Sequence, residues 1–246
     1  MRLFGIGDPH LPSTRGKGMD VFGWTDHPVP LARAWDEQVG ADDVVIVAGD
    51  ISWATRPAEV LEDLKWLDAR PGKKVLLRGN HDYWWGDSST KLRKLFAPYP
   101  SFLGFLQNSA VVAGPWLIAG TRLWTTPEAP PLPAGEMGDV EARPDFIERE
   151  THRLLLSMKD GEQKERAAAA KLTRVVATHF PPLYANGVET AFSRTIEAFR
   201  PAVCVYGHLH GPGIGAGFVG ERAGVRYALA SCDAVGFAPV LLLEAP

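Results

Sequence analysis

Aspartate, asparagine and histidine residues recur along the chain in five short patterns, each of which directly follows an apolar run. The patterns are, in order, Gly7-Asp8-Pro9-His10, Gly49-Asp50, Gly79-Asn80-His81-Asp82, Thr178-His179 and Gly207-His208-Leu209-His210. Carboxylate, imidazole and amide oxygen groups are ligands that suit Mn, Fe or Zn. Residues i and i+2 of an extended segment point the same way, so Asp8 and His10 can face one site, as can His208 and His210.

None of these patterns indicates a metal site on its own. A single histidine after a strand is most often an ordinary surface or core residue, and an isolated Gly-Asp pair is usually a turn. Their joint occurrence is more informative, because ligands of open α/β sheets bind at the carboxyl ends of the strands. Five polar strand ends therefore predict one shared pocket that holds metal ions.

The elements that must position this pocket can be read from hydrophobic periodicity. Short aliphatic runs predict strands over 3–6, 44–48, 75–77, 110–113, 116–119, 175–178, 203–206, 226–230 and 240–243. Helices are predicted over 31–39, 57–70, 145–156, 164–171 and 189–199, with Gly161 as an interruption between the third and the fourth. The early alternation is typical of a parallel α/β sheet. A turn at Gly114-Pro115 predicts a hairpin, so a mixed sheet or two packed sheets should result.

Composition limits the class of protein. The 246 residues, 46% of them hydrophobic, suit one domain over 1–246 with a sizeable core. A net charge of −3 and the lack of a basic run argue against a nucleic-acid partner on electrostatic grounds. No apolar run approaches the roughly 20 residues of a membrane span. Cys204 and Cys232 lie in apolar surroundings, which predicts buried thiols and a cytoplasmic location.

Taken in this order, the five patterns resemble the calcineurin-like metallophosphoesterase superfamily. That family's pattern runs Asp-x-His, Gly-Asp, Gly-Asn-His-Asp/Glu, His and Gly-His-x-His, and here it extends from Asp8 to His210. The resemblance implies an α/β fold of two packed mixed β-sheets flanked by helices, a four-layer αββα sandwich. It also implies two divalent metal ions, with Mn favoured and Fe, Zn or Mg as alternatives.

The resemblance further implies the ligands of each ion. Asp50 would bridge the two. The first site would be completed by Asp8, His10 and His210, and the second by Asn80, His179 and His208.

The resemblance implies that His81 is not a ligand but protonates the leaving group or stabilises the phosphoryl oxygens. The adjacent Asp82 is a second candidate catalytic residue, with a structural role as the alternative. Two cations about 3.5–4 Å apart can clamp the attacking and leaving oxygens, and a hydroxide that bridges them is a nucleophile near neutral pH. We therefore expect hydrolysis of a phosphate mono- or diester of a small phosphorylated molecule, with His81 donating a proton to the leaving group.

Other functions stay open at this point. A lipid-linked diphosphate hydrolase is one of them, although no amphipathic membrane helix is evident in the sequence. A protein phosphatase is disfavoured, since Trp53 and Ala54 stand where that branch carries an Asp and an Arg. A nuclease shares the Gly-Asn-His-Asp pattern, although the acidic balance argues against it. A non-catalytic scaffold would keep the fold, yet such proteins typically lose His81 or a ligand, and every one is present here. The oligomeric state is not indicated.

Several residues near the patterns have roles that the sequence leaves open. Arg15, Arg56 and Arg122 are candidates for gripping phosphate, with Arg122 favoured because it follows a strand and Gly120. Trp53, Trp84 and Trp85 can line the pocket or pack in the core. The segment 11–30, with Arg15, Lys17 and Trp24, can cover the site or simply connect elements. The proline-rich segment 125–144 is predicted to be a long surface loop.

Overall fold

The centre of the molecule is built from two mixed β-sheets. The computed structural model describes residues 1–12, 19, 23–131, 141–168 and 170–245. The first sheet has the order β11-β1-β2-β3-β4, in which β1 to β4 are parallel and β11 pairs antiparallel with β1. Its strands are β1 (Arg2–Ile6), β2 (Val44–Ala48), β3 (Lys73–Leu77), β4 (Phe102–Leu106) and β11 (Val240–Glu244).

The second sheet has six strands in the order β5-β6-β7-β8-β10-β9. Strands β6, β7, β8 and β10 are parallel, and the two edge strands pair antiparallel with their neighbours. The strands are β5 (Val111–Ala113), β6 (Trp116–Thr121), β7 (Thr173–Thr178), β8 (Val203–Tyr206), β9 (Gly220–Arg222) and β10 (Val225–Leu229). The predicted hairpin is confirmed, with Gly114 in the left-handed conformation that its turn requires (φ 58°).

Helices cover the outer face of each sheet. Against the first sheet pack α1 (Pro28–Gln38), α2 (Leu61–Asp68) and α3 (Ser89–Phe96), and against the second pack α4 (Pro144–Ala168) and α5 (Ala191–Phe199). A third apolar cluster lies between the sheets, where Leu3, Ile46 and Val75 meet Ile118 and Val205. Parallel strands read as continuous apolar runs because both of their faces are buried in this way. The predicted four-layer αββα sandwich is confirmed.

The prediction that Gly161 separates two helices was wrong, because α4 is continuous through it. A Cβ atom at this position would lie 3.2 Å from Ala110 Cβ and from both methyl groups of Leu117. The glycine therefore lets the helix approach the second sheet closely, and this contact outweighs its low helix propensity. Among the described elements, β4, β9, α3 and a short 3-10 helix (Gly211–Ala216) were not predicted. The helix predicted over 57–70 begins only at Leu61.

Parts of two segments singled out in the sequence fall outside the described residues. Arg15 and Lys17 belong to the stretch 13–18, and the middle of the proline-rich segment is the stretch 132–140. Elsewhere the two cysteines are buried and free of disulfides, as predicted. Among the helices that the structure describes, none is long and apolar enough to cross a membrane.

We predict that Gly120→Ala destabilises the protein. Gly120 pairs with Ala177 across β6 and β7, and an added methyl group would overlap the Ala177 carbonyl oxygen. Forcing an extra methyl group into a packed interior costs about 1–3 kcal/mol, which lowers the melting temperature by roughly 2–4 °C per kcal/mol in a chain of this size. Thermal unfolding measures the change.

The matched control is Gly86→Ala, since a Cβ atom there meets nothing within 4 Å and the backbone is not left-handed. Equal melting temperatures for the Gly120 variant and the wild-type protein would contradict this view of the packing between β6 and β7.

Candidate metal centre

The carboxyl ends of five parallel strands, β1, β2, β3, β7 and β8, bring the five sequence patterns to one edge of the sandwich. Backbone hydrogen bonds fasten their loops to one another. The N–H of His10 donates to the Asp50 carbonyl oxygen (2.9 Å), and the N–H of Gly207 donates to the His179 carbonyl oxygen (3.1 Å). Asp8 and His208 are 200 residues apart in the chain, yet the His208 N–H donates a hydrogen bond to Asp8 Oδ2 (2.9 Å).

Four of the predicted ligands have left-handed backbones. The φ angles are 57° at Asp8, 43° at His10, 49° at Asp50 and 75° at His208. Non-glycine residues rarely adopt this region, although Asp and His tolerate it better than most. Strained backbone of this kind collects at functional sites, where the surrounding structure holds a side chain in a required direction.

The carboxylate of Asp50 lies in the middle of the cluster. Its Oδ2 atom is 3.7 Å from His10 Nε2, 3.6 Å from His179 Nε2 and 3.9 Å from His81 Nε2. Its Oδ1 atom accepts the backbone N–H of His81 (2.8 Å). The two halves of the predicted ligand set therefore meet at Asp50, the residue expected to bridge them.

On one side of Asp50 lie Asp8, His10 and His210. Ligand atoms of these three residues lie within 4.8 Å of one another. Asp8 Oδ1 is 3.5 Å from His210 Nε2. Asp8, Asp50 and His179 form a second group at the same spacing, so Asp8 is close to both halves of the cluster.

On the other side lie Asn80, His179 and His208. Asn80 Oδ1 is 2.7 Å from His179 Nε2 and 3.0 Å from His208 Nδ1. His179 Nδ1 is 2.9 Å from the carbonyl oxygen of Ala48, which can only accept, so the proton is on Nδ1. Burial lowers the pKa of His179 well below its usual value, as does His208, so the ring is neutral and Nε2 carries a lone pair.

These residues fit a cation. The lone pairs of His179 Nε2 and Asn80 Oδ1 face each other, and such an approach is repulsive unless a cation lies among them. His10 Nε2 and His210 Nε2 are buried and have no hydrogen-bond partner among the described residues. Burial raises the pKa of Asp50 well above its usual value, and the charges of Asp82 and Asp8 act in the same direction. A cation would bind these lone pairs and would stabilise the charged form of the Asp50 carboxylate.

Two glycines make the carboxylates fit. A methyl group at position 79 would overlap the Asp50 carboxylate, and one at position 207 would overlap that of Asp8. The glycine in each pattern therefore leaves space for the carboxylate of another strand end. This contact explains why a glycine directly precedes Asn80 and His208.

Asp82 is fully buried beneath the cluster. Its Oδ1 atom accepts hydrogen bonds from the N–H groups of Ile51 (2.9 Å) and Ser52 (3.2 Å) and from Trp84 Nε1 (3.0 Å). Its Oδ2 atom accepts the N–H of Gly79 (2.8 Å). Burial raises the pKa of Asp82 to about 6, against the effect of these donors. The carboxylate thus ties the loop after β2 to the loop after β3.

Asp233 is a site residue that the sequence patterns did not include. Its Oδ1 atom accepts the proton of His210 Nδ1 (2.9 Å), and its Oδ2 atom accepts the N–H of Gly211 (2.8 Å). The bond leaves His210 Nε2 free to face Asp8. Asp233 comes just after β10, so a search for acidic residues after every predicted strand would have found it.

The three tryptophans divide between the two predicted roles. Trp84 and Trp85 are fully buried in the core beside the first sheet. Trp53 is only partly buried and packs on the site, with its ring centroid 4.7 Å from that of His10 and 4.8 Å from that of His81. Trp24, from the segment after the first pattern, contacts His210 edge to face at 5.1 Å.

The candidate phosphate-binding arginines also differ. Arg56 is exposed, and Arg15 lies outside the described residues. Arg122 is largely buried, stacks on Trp124 at 5.0 Å and lies 3.8 Å from Glu150.

Comparison with known proteins agrees with this geometry. A family model described as calcineurin-like phosphoesterase matches residues 1–212. The chain belongs to this family, which makes it a member of a family of metal-dependent phosphohydrolases and confirms the resemblance seen in the sequence.

Individual relatives match over shorter stretches or at lower identity. The Gene 66 proteins of Mycobacterium phages D29 and L5 are 54% and 42% identical over 57 and 77 residues, which is 23% and 31% of this chain and 28% and 35% of theirs. The chain thus matches only about a third of those relatives' length.

Solved structures share the fold. The phosphopantetheinyl hydrolase of Mycobacterium tuberculosis has a TM-score of 0.51 at 18% identity, over 100% of this chain and 96% of that one. The protein TT1561 of Thermus thermophilus has a TM-score of 0.52 at 12% identity, over 85% of this chain and 82% of that one.

We predict that Asp233→Ala weakens metal binding without unfolding the protein. The substitution removes the acceptor that orients His210, and loss of such a partner typically lowers metal affinity about 10- to 100-fold. Titration of the metal-free protein with Mn²⁺, followed by calorimetry, measures the affinity.

Asp42→Ala, which removes an exposed carboxylate, is the matched control and should bind Mn²⁺ like the wild-type protein. Wild-type Mn²⁺ affinity in the Asp233 variant would show that the bond to His210 does not support the site.

Proposed function

We propose that the protein is a phosphoesterase with two divalent metal ions that hydrolyses a phosphate mono- or diester of a small phosphorylated molecule. The observation that carries this proposal is the position of Asp50. Its Oδ2 atom lies within 3.6–3.9 Å of nitrogen atoms from His10, His179 and His81. One carboxylate is thus shared by two groups of metal-ligating atoms, with a further imidazole beside it.

The residues would hold the ions as two groups that share Asp50. The first group comprises Asp8, His10 and His210, and the second comprises Asn80, His179 and His208. When bound, the ions neutralise charge on the phosphoryl oxygens and lower the pKa of water. Carboxylate, amide and imidazole ligands suit Mn, Fe or Zn. Mn²⁺ is the ion that we propose, with Fe, Zn or Mg as alternatives.

His81 is proposed to give a proton to the leaving group. The side chain is 15% exposed, and its Nε2 atom lies 3.9 Å from Asp50 Oδ2, next to the proposed ions. Its backbone N–H is held by Asp50, and its ring lies between Trp53 and Tyr83, with centroids 4.8 Å and 6.1 Å away. An alkoxide leaves poorly without a proton, and imidazole is suited to donate one near neutral pH.

For Asp82 we propose a positioning role in the same reaction. It binds the backbone of Ile51, Ser52 and Gly79, and these residues flank Asp50 and Asn80. A carboxylate with these three backbone contacts fixes the two loops relative to each other. It therefore keeps Asp50, the proposed shared ligand, in a fixed position relative to His81, without contacting the substrate.

The substrate is proposed from chemistry and charge. The net charge of −3 disfavours a long nucleic acid, whose binding depends on a basic surface. The activity that gives the phosphopantetheinyl hydrolase its name belongs to that protein, because 18% identity supports a shared fold only. A small phosphorylated molecule is the class that remains.

The proposed activity is tested with p-nitrophenyl phosphate and bis-p-nitrophenyl phosphate. The metal-free protein is reconstituted separately with Mn²⁺, Fe²⁺, Zn²⁺ and Mg²⁺. We expect hydrolysis of at least one ester, greatest with Mn²⁺ and abolished by chelation. The ratio of the two rates then decides between monoester and diester preference. Bound metal without activity on either ester would instead favour a scaffold.

We predict that His81→Ala and Asp50→Asn fail in different ways. Loss of a general acid lowers the rate about 10²- to 10⁴-fold, so the His81 variant should bind metal normally yet lose activity, most for esters with poor leaving groups. The Asp50 variant should lose metal as well as activity. Metal content and turnover on aryl and alkyl phosphates are measured in parallel, and metal loss in the His81 variant would overturn its assignment.

A further inference from the structure

A group of arginine side chains lies beside the metal centre, at the carboxyl ends of β3 and β6. Arg78 comes directly after β3, two residues before Asn80, and Arg122 comes directly after β6. The carbonyl oxygen of Arg122 accepts the N–H groups of His179 (3.2 Å) and Phe180 (2.9 Å). Both arginines are therefore joined through the backbone to residues of the metal centre.

Helix α4 adds to the group from the other side. Its Glu150 is fully buried, and Glu150 Oε1 lies 2.8 Å from Arg153, 3.6 Å from Arg149 and 3.8 Å from Arg122. Arg78 pairs with the exposed carboxylate of Asp87 at 3.3 Å. Among the described residues, these ion pairs join four guanidinium groups to two carboxylates, which leaves two positive charges uncompensated.

The two arginines next to the site retain unused donors. The Nε atoms of Arg78 and Arg122 are buried and have no hydrogen-bond partner within the described part of the chain. Trp124 fixes the Arg122 guanidinium from one face. Burial lowers the pKa of Arg122 to about 10, and Glu150 raises it, so the group keeps its charge near neutral pH. An arginine held in this way is prepared to bind an anion with little loss of side-chain freedom.

The ion pairs of these arginines do not involve the carboxylates of the metal centre. Their ion pairs are with Glu150 and Asp87, and no described arginine forms an ion pair with Asp8 or Asp50. The depression that they line also contains Gln107 and Thr121 and encloses only about 20 Å³, which is room for about one water molecule. An anionic group would therefore bind at its open mouth, beside rather than on the metal ions.

We propose that Arg78, Arg122 and Arg153 bind a second phosphate group of the substrate, so that the substrate class is a small molecule with two phosphate groups. This inference rests on the proposed function, since the other phosphate would occupy the metal centre. A phosphate accepts paired hydrogen bonds from guanidinium groups. It would displace the exposed carboxylate of Asp87, because exposed ion pairs contribute little stability. Glu150 stays buried beneath and keeps the arginines in place.

The test measures binding of non-hydrolysable analogues to the Mn²⁺-loaded protein by calorimetry. The probes are α,ω-alkane bisphosphonates of increasing chain length, each compared with the alkane monophosphonate of the same length. At the best length, the bisphosphonate should bind about 10- to 100-fold more tightly, as expected for hydrogen bonds to a charged group. Arg78→Gln and Arg122→Gln should each reduce this advantage to a few-fold.

Arg33→Gln is the matched control, because Arg33 lies on α1 and is 80% exposed in an ordinary surface ion pair. It should keep the full preference for the bisphosphonate. If Arg122→Gln lowers the melting temperature severely, Arg78→Gln decides the matter, since it leaves every ion pair of Glu150 intact.

Two results would overturn the second phosphate site. One is equal affinity for mono- and bisphosphonate at every length, and the other is a preference that survives in both arginine variants. Failure of the proposed function would look different, since the bisphosphonate preference would persist while no phosphate ester is hydrolysed.

Discussion

Two carboxylates, those of Asp8 and Asp50, are buried side by side at the edge where the two sheets meet. Burying one charged carboxylate is expensive, and burying two in contact is more so, unless positive charge compensates them. The neighbouring imidazoles supply that charge only in part. Burial holds the pKa of His10 and of His179 well below the usual value, whereas, against burial, Asp8 and Asp233 raise the pKa of His210 to about 10. The proposed cation pair would compensate both carboxylates.

The fold is arranged around this constraint. Parallel strands from both sheets end at one edge, and each delivers one or two polar side chains from a tight turn. Gly79 and Gly207 leave space for carboxylates from other strands, and left-handed residues at Asp8 and Asp50 aim those carboxylates inward. Asp82 and Asp233 then hold the loops and His210 from behind. The apolar interior between the sheets keeps the strand ends rigid, so little conformational freedom has to be lost when a substrate binds.

Sequence reasoning recovered what depends on local pattern. Strands such as β2 and β8 are uninterrupted apolar runs, and the polar residues that follow them are contiguous motifs. It missed β4, where Gly104 interrupts a short apolar run, and it divided α4 at Gly161. Helix α4 continues through Gly161 because it packs closely on Leu117 of the second sheet. This tertiary contact cannot be read from local helix propensity.

The same distinction applies to the site. Asp8 and His208 could be paired from the sequence because the family pattern names them. The contact of Asp233 with His210 is not part of the family pattern, so it was not predicted, although Asp233 closely follows a predicted strand. Arg78 was not singled out, because its ion pair with Asp87 is a contact that the strand pattern does not contain. The single domain over 1–246 and the role of each ligand stay predictions from the sequence. Proximity of the side chains is what the fold adds to them.

The most direct test is anomalous X-ray diffraction from crystals of the protein soaked in Mn²⁺. We expect two anomalous peaks, one among Asp8, His10 and His210 and the other among Asn80, His179 and His208, with the Asp50 carboxylate contacting both. A single peak, or two peaks of which Asp50 contacts only one, would contradict a centre organised around that shared carboxylate.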